Sequence, residues 1–310
     1  MPGSGTGTPI TSPSVTLQNV IDMIRLRLNN YEKPYYWTDT ELVYYVNEIV
    51  NRMCREARVI EDSTNITSCE IILDSGTADE ALHASVIFVK AAQLVTQELL
   101  TLDVAPATSW AVGDTITGVS SGATSTVVEV LTSKTYIVEH RSLAYSKDEV
   151  LTNGTVTADQ GTSYPTIKYY EAKNLIKTSL LEIEEMYPSW RTTSGEPTHY
   201  LLDATNGYIT LYPNPDDHYT LRLTVYRYPI TKLIATGLSG QAPEVDEKYY
   251  DMIVDGVCGM AYMKRGENTF NTQSAMIFMG LFQKAISNIK VKNAMYRGGR
   301  NIAAPSRGFM

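Results

Sequence analysis

The stretch EEMYPSWRTTSGEPTHY, residues 184–200, sets three glutamates, two tyrosines, a tryptophan, an arginine and a histidine around a Ser-Gly turn. Such an inventory suits either a carbohydrate-cleaving cleft or a rigid joint between a helix and a sheet. The flanking sequence favours the joint. Residues 168–187, KYYEAKNLIKTSLLEIEEMY, place Leu175, Ile176, Leu180 and Ile183 along one side of a helix. Pro188 disfavours helical geometry at Tyr187, so that helix stops there. Beyond Gly195 come two alternating runs, residues 199–213 with an Asn206-Gly207 hairpin turn and residues 218–229. The stretch therefore predicts an α+β chain in which a helical bundle adjoins a small antiparallel sheet.

The cleft reading has a geometric requirement. Glycoside hydrolysis needs two carboxyl groups about 5–9.5 Å apart across one bond, one of them with a raised pKa. Glu184 and Glu185 are neighbours on a helix and point about 100° apart, so they do not face each other. Glu196 falls in a turn. The acids read as a solvated last helical turn, and Trp190 reads as an anchor of the joint.

Working outward, residues 1–15 are Gly, Ser, Thr and Pro with little to bury, the composition of an N-terminal arm. Residues 14–30, SVTLQNVIDMIRLRLNN, repeat Leu17, Val20, Ile21, Ile24 and Leu28 at helical spacing. Residues 37–57, WTDTELVYYVNEIVNRMCREA, announce a second helix. Thr38 and Glu41 form a capping box, Asp39 favours the positive end of the helix dipole, and Trp37 staples the start. ITSCEIIL, residues 66–73, alternates like a strand, whereas residues 84–100 fit either a strand or a helix. Residues 103–164 are rich in Thr, Val and Gly with short alternating runs and turn signals, and read as an inserted all-β module. Residues 113–118 resemble 148–154, which hints at an internal duplication. Two helices close the bundle, in residues 243–265 and 272–292. The organisation expected is an arm (1–15), an adaptor domain (16–102 and 165–292), the β insertion (103–164) and a basic arm (293–310).

Bulk properties narrow the function. The chain has 310 residues, 43% hydrophobic and 19% charged, an ordinary globular composition. No apolar run reaches the ~18 residues of a membrane span, and no secretory signal precedes Val15, so synthesis in a host cytoplasm without membrane contact is expected. Cys54, Cys69 and Cys258 are odd in number and far apart, which suggests neither a disulfide framework nor a zinc site. The net charge of −8 argues against general nucleic-acid binding. Its distribution is uneven. Beyond Glu267 there is no acid, while Lys284, Lys290, Lys292, Arg297, Arg300 and Arg307 are basic, leaving 20 bases against 34 acids in the rest. The ratio of 21 tyrosines to 5 phenylalanines suits interfaces, since a tyrosine buries its ring and keeps its hydroxyl wet.

Catalytic motifs fail on context. Residues 118–122, GVSSG, match the GxSxG nucleophile elbow in form, but ATSTVVEV follows, which is strand where the elbow requires helix. Gly3, Gly5 and Gly7 lack the strand before and the Lys-Ser or Lys-Thr after that a phosphate loop needs. His83, His140, His199 and His218 show no metal-ligand spacing. No catalytic residue, metal or cofactor is expected.

The order of pieces resembles the head-to-tail connector, or adaptor, proteins of tailed bacteriophages. The likeness spans residues 17–60 and 168–310. It is carried by Trp37, Asp39, Glu41, Leu42 and Asn47, then by Tyr187, Pro188, Trp190, Gly195, Pro197, Tyr212, Pro213 and Pro215. It implies a non-enzymatic virion part: a ring of twelve copies beneath the portal protein that joins capsid to tail, extends the DNA channel and contacts tail or nozzle proteins. Genomic DNA would pass the lumen without specific binding. The basic arm, with Tyr296, Arg297, Arg300, Ile302, Arg307 and Phe309, would reach the portal. The β insertion departs from the usual pattern and is similar to small β modules of phage structural proteins. That leaves a decorating or carbohydrate-contacting role as an alternative, and a peptidoglycan hydrolase as a third.

Overall fold

The computed structural model describes residues 15–146, 149–158, 166–266 and 269–298, with backbone alone at 166–168 and 294–298. The described helices are α1 (Leu17–Arg27), α2 (Asp39–Ala57), α3 (Ile66–Cys69), α4 (Leu180–Met186), α5 (Tyr250–Ala261) and α6 (Thr272–Gly298). The strands are β1 (Glu61–Asp62), β2 (Glu70–Leu73), β3 (Asp79–Ala81), β4 (Val86–Thr101), β5 (Thr115–Gly118), β6 (Thr124–Thr132) and β7 (Thr135–Glu139). They continue as β8 (Leu151–Thr152), β9 (Thr157–Ala158), β10 (Thr166–Asn174), β11 (Ile176–Lys177), β12 (His199–Leu201), β13 (Tyr208–Tyr212) and β14 (Tyr219–Arg227). The chain is mixed α+β, as the sequence predicts. Its contacts divide it into a helical unit within Met1–Ile60 and Arg227–Met310 and a β unit of Glu61–Tyr226.

In the helical unit α5 is the centre, and α1, α2 and α6 pack on it. The expected stripe Leu17, Val20, Ile21, Ile24 and Leu28 is buried. Two glycines let α5 approach its neighbours closely. A Cβ at Gly256 would stand 2.8 Å from Ile49 Cδ1 and 3.0 Å from Phe282, and one at Gly259 would stand 2.7 Å from Met279. The capping box of α2 forms as read: Thr38 Oγ1 accepts the Glu41 N–H, and the Glu41 carboxylate accepts the Thr38 N–H. A second box, Thr16 with Asn19, starts α1.

The β unit contains two sheets. The larger runs β1-β14-β4-β7-β6-β5-β8-β9, with β10 also on β4 and β2 also on β14. The smaller runs β11-β12-β13-β3, its first pair parallel and the others antiparallel. Strand alternation shares out the apolar residues. Tyr200 and Leu211 join Leu73, Leu94, Leu221 and Leu223 in the core between the sheets, while Leu201 and Tyr212 face Ile183 and Trp190. A further core within the β unit gathers Leu100, Trp110, Ile116, Tyr136 and Leu151, and β7 pairs with β4 in the same sheet.

Three local expectations are corrected. Residues 168–187 do not form one helix: β10 and β11 occupy the first half, and helix begins only at Leu180 behind a Ser179–Glu182 capping box. Pairing of β10 along β4, about seventy residues earlier, overrides the local helical periodicity. The stop before Pro188 stands. ITSCEIIL splits into a helical turn, capped by Asn65, and β2. The Asn206-Gly207 turn holds Gly207 at φ +80°, but it ends a longer connection over residues 202–207 and is not a two-residue hairpin loop. Residues 84–100, open between helix and strand, fall on β4 from Val86 onward.

All three cysteines are buried and unbonded. Burial pushes the Cys54 and Cys258 thiols up to about 12. The native protein at pH 8 is therefore expected to resist a thiol-specific chromogenic reagent that labels three thiols after unfolding. Rapid native labelling would contradict this packing. The sign of the linkage follows: the unfolded chain ionises near the ordinary thiol value while the folded chain does not, so stability falls as pH rises from about 8.5 toward 12.

Candidate functional site

The joint at residues 184–200 is structural in detail. Glu184 and Glu185 are exposed, and Glu184 lies 3.8 Å from Arg191. Glu196 pairs with Lys173 at 2.6 Å. Trp190 is 4% exposed among Ile183, Leu201 and Tyr212, with the Arg191 guanidinium 4.4 Å over its ring. Tyr187 meets Tyr212 at 4.7 Å with the rings tilted by 32°, and His199 packs beside both. Backbone bonds lock the turn: Gly195 N–H donates to the Asn214 carbonyl and Asn214 N–H to the Thr193 carbonyl, both at 2.9 Å. Pro197 is buried, and Pro213 follows a cis peptide bond. Each of these acids is exposed or already paired with a cation, which is the chemistry of a fixed corner.

The early-helix residues have equally definite tasks. Trp37, 2% exposed, donates its indole N–H to the Ala261 carbonyl at 3.1 Å and meets Tyr36 and Tyr262 edge-on. Asp39 receives the buried Arg25 guanidinium at 2.6 Å, which in turn lies 3.6 Å over the Tyr35 ring. Burial acts to raise the Glu41 pKa, but hydrogen bonds from Lys264 and Thr38 outweigh it and hold the carboxyl below its ordinary value. Asn47 clasps the segment after β14, donating to the Leu233 carbonyl at 2.9 Å and accepting its N–H at 3.1 Å. Leu42 is buried.

GVSSG is a clamped turn. The Glu149 carboxylate, 2% exposed, accepts the backbone N–H groups of Ser120, Ser121 and Ser146 and the Ser121 hydroxyl. Strand β6 follows where an elbow would have helix. Among the described residues no group of three or more His, Cys, Asp and Glu is arranged to hold a metal ion. The histidines have separate partners: His83 bonds Ser85, the His140 ring meets the His218 backbone carbonyl at 3.1 Å and stands near Asp217, and the His218 ring stands near Asp74.

The expected portal-binding residues fall where little is described. The α6 backbone passes through 296 and 297, whereas the side chains of Tyr296 and Arg297, and all of Arg300, Ile302, Arg307 and Phe309, lie outside the described residues. Upstream, α6 is fastened to α2: Asn293 donates to the Ala57 carbonyl at 3.0 Å and Lys290 stands 3.4 Å from Glu56.

Sequence reasoning missed two surfaces of the helical unit. Met276, Ile277, Leu281 and Val291 are exposed along α6. On α1 and the loop after it, Asp22, Met23, Arg25, Leu26, Tyr31 and Tyr35 line an open cleft of about 390 Å³. The available signal was that α6 carries apolar residues on more than the one side its core packing uses.

The SU10 adaptor protein family matches residues 136–305, more than half of the chain. The matched span contains the whole 184–200 joint and all of α5 and α6, while the Trp37–Asn47 group precedes it. Among curated proteins no match is found. On that match over more than half of its length, the chain belongs to the SU10 adaptor protein family, structural adaptor proteins of bacteriophages.

Proposed function

We propose that the chain is one subunit of a twelve-membered ring beneath the portal, joining capsid to tail and extending the DNA channel. The observation that carries this reading is the family match over residues 136–305. The charge pattern supports it. The acidic remainder of the chain would let DNA slide through a lumen without adhering, and the acid-free basic end would seat on an acidic groove of the portal. Helix α6, tied to α2 at Asn293, gives that end a fixed point of departure. No described helix is long and apolar enough to cross a membrane. The work assigned to the protein is mechanical joining, with no reaction step.

The test is truncation after Gly298, which keeps α6 and the Asn293 bond and removes Arg300, Ile302, Arg307 and Phe309. Mixed with portal protein, the full chain should form a ring-sized complex by native mass spectrometry. The truncated chain should keep its circular dichroism and melting temperature yet bind at least ~30-fold more weakly, the loss expected when buried charged contacts go unmade. Undiminished binding would remove the arm from the portal interface.

A further inference from the structure

The helical unit presents two unlike surfaces. α1 and α6 both pack on α5, and neither packs extensively on the other. On α6, Met276 (68% exposed), Ile277 (57%) and Leu281 (47%) form an uncovered apolar patch. Gly280 lies within it with nothing inside 4 Å of where a Cβ would stand, so another chain can come close. Lys284, one turn on, is exposed and has no ion pair among the described residues. The α1 cleft offers the counterpart: Leu26, 70% exposed, and Tyr31, 59% exposed, beside the exposed carboxylate of Asp22. Among the described residues Asp22 accepts only the Gln18 amide, at 2.9 Å, and has no cation partner.

We infer that successive copies of this chain join head to tail, the α6 patch of one seated in the α1 cleft of the next, with Lys284 on Asp22. The inference rests on the ring reading and specifies its contact. Charge selects the pairing. The unlike pair brings the exposed Lys284 to the exposed Asp22 carboxylate, while the other charged residue lining the cleft, Arg25, is already engaged with Asp39. A contact between two different patches is heterologous, the type that closes into a ring when its rotation allows. A helix laying exposed apolar side chains into a groove is also a recurrent recognition mode.

The experiment uses full-length chains, alone and with portal protein, sized by analytical ultracentrifugation. One variant carries Ile277→Asp and Leu281→Asp, the other Leu26→Asp and Tyr31→Asp. All four sites are exposed, so each variant should melt within ~2 °C of the parent. The parent should assemble, and each variant alone should remain a monomer. An equimolar mixture should stop at a heterodimer, because each variant keeps the face the other has lost. Lys284→Glu and Asp22→Lys should each weaken assembly at least tenfold, and the two together in one chain should restore it. If the parent assembles and the variants do so equally well, or the mixture stays monomeric, the contact is wrong while the adaptor reading stands. If the parent forms no ring with or without portal, the ring reading falls and the contact with it.

Discussion

Replacing Arg141 by methionine is expected to destabilise the β unit by about 3–5 kcal/mol, read as a lower urea midpoint, because it strands two carboxylates in the interior. Arg141 follows β7 and is 4% exposed. Its Nε and Nη2 donate to Glu98 at 2.8 and 3.0 Å, and Nη2 donates to Glu70 at 2.7 Å. Burial opposes the charge, but the bonds and charges of Glu98 and Glu70 outweigh it and raise the guanidinium pKa. Glu98 sits on β4 and is 3% exposed. Glu70 sits on β2 and also accepts the Tyr169 hydroxyl of β10 at 2.7 Å. One cation thus ties together three strands, and among the described residues no other cation bonds Glu98. Adding Glu98→Met to Arg141→Met should recover most of the loss, since an apolar pair of similar volume removes the stranded charge at Glu98. A double variant as unstable as the sum of the singles would show that the network's value lies elsewhere.

The contrast between that network and the α2 cap explains what was legible. Thr38 and Glu41 are three residues apart, and their bonds follow from helix geometry alone, so the sequence displays them. Arg141 and its partners lie 43 and 71 positions apart. Nothing local marks them. The same division runs through the secondary structure. Pro188 ends α4 wherever that helix begins, and the α+β joint could be read from it. The span ahead of it has apolar residues at helical spacing, yet β4 claims it as β10 through backbone pairing that periodicity does not contain. Glu149 is a further case: the context after GVSSG sufficed to reject an elbow, but the carboxylate that clamps the turn lies 28 residues on. The α6 patch escaped notice because exposure is decided by what packs against a helix, and apolar composition alone is silent on that.

Truncating Trp37 to alanine is the other substitution with a large expected cost, about 3–5 kcal/mol in thermal or urea unfolding. The ring is among the largest fully buried side chains, and removing it opens a cavity between the start of α2 and the end of α5. Trp37→Phe should cost less, about 1–2 kcal/mol, keeping an aromatic ring against Tyr262 while losing the N–H donated to Ala261. The ordering matters because of what lies beyond. Tyr262 stacks on Phe278 of α6 at 5.9 Å with the rings 14° apart, so Trp37 supports, through one intervening ring, the helix that carries Met276, Ile277 and Leu281. Trp37→Ala should therefore weaken self-association even below its melting temperature, in the same assay that tests the α6 patch, whereas Arg141→Met should leave it intact as long as the helical unit stays folded. If the two variants impair assembly equally at matched stability, the Trp37–Tyr262–Phe278 stack does not hold the patch, and the loss reflects unfolding alone.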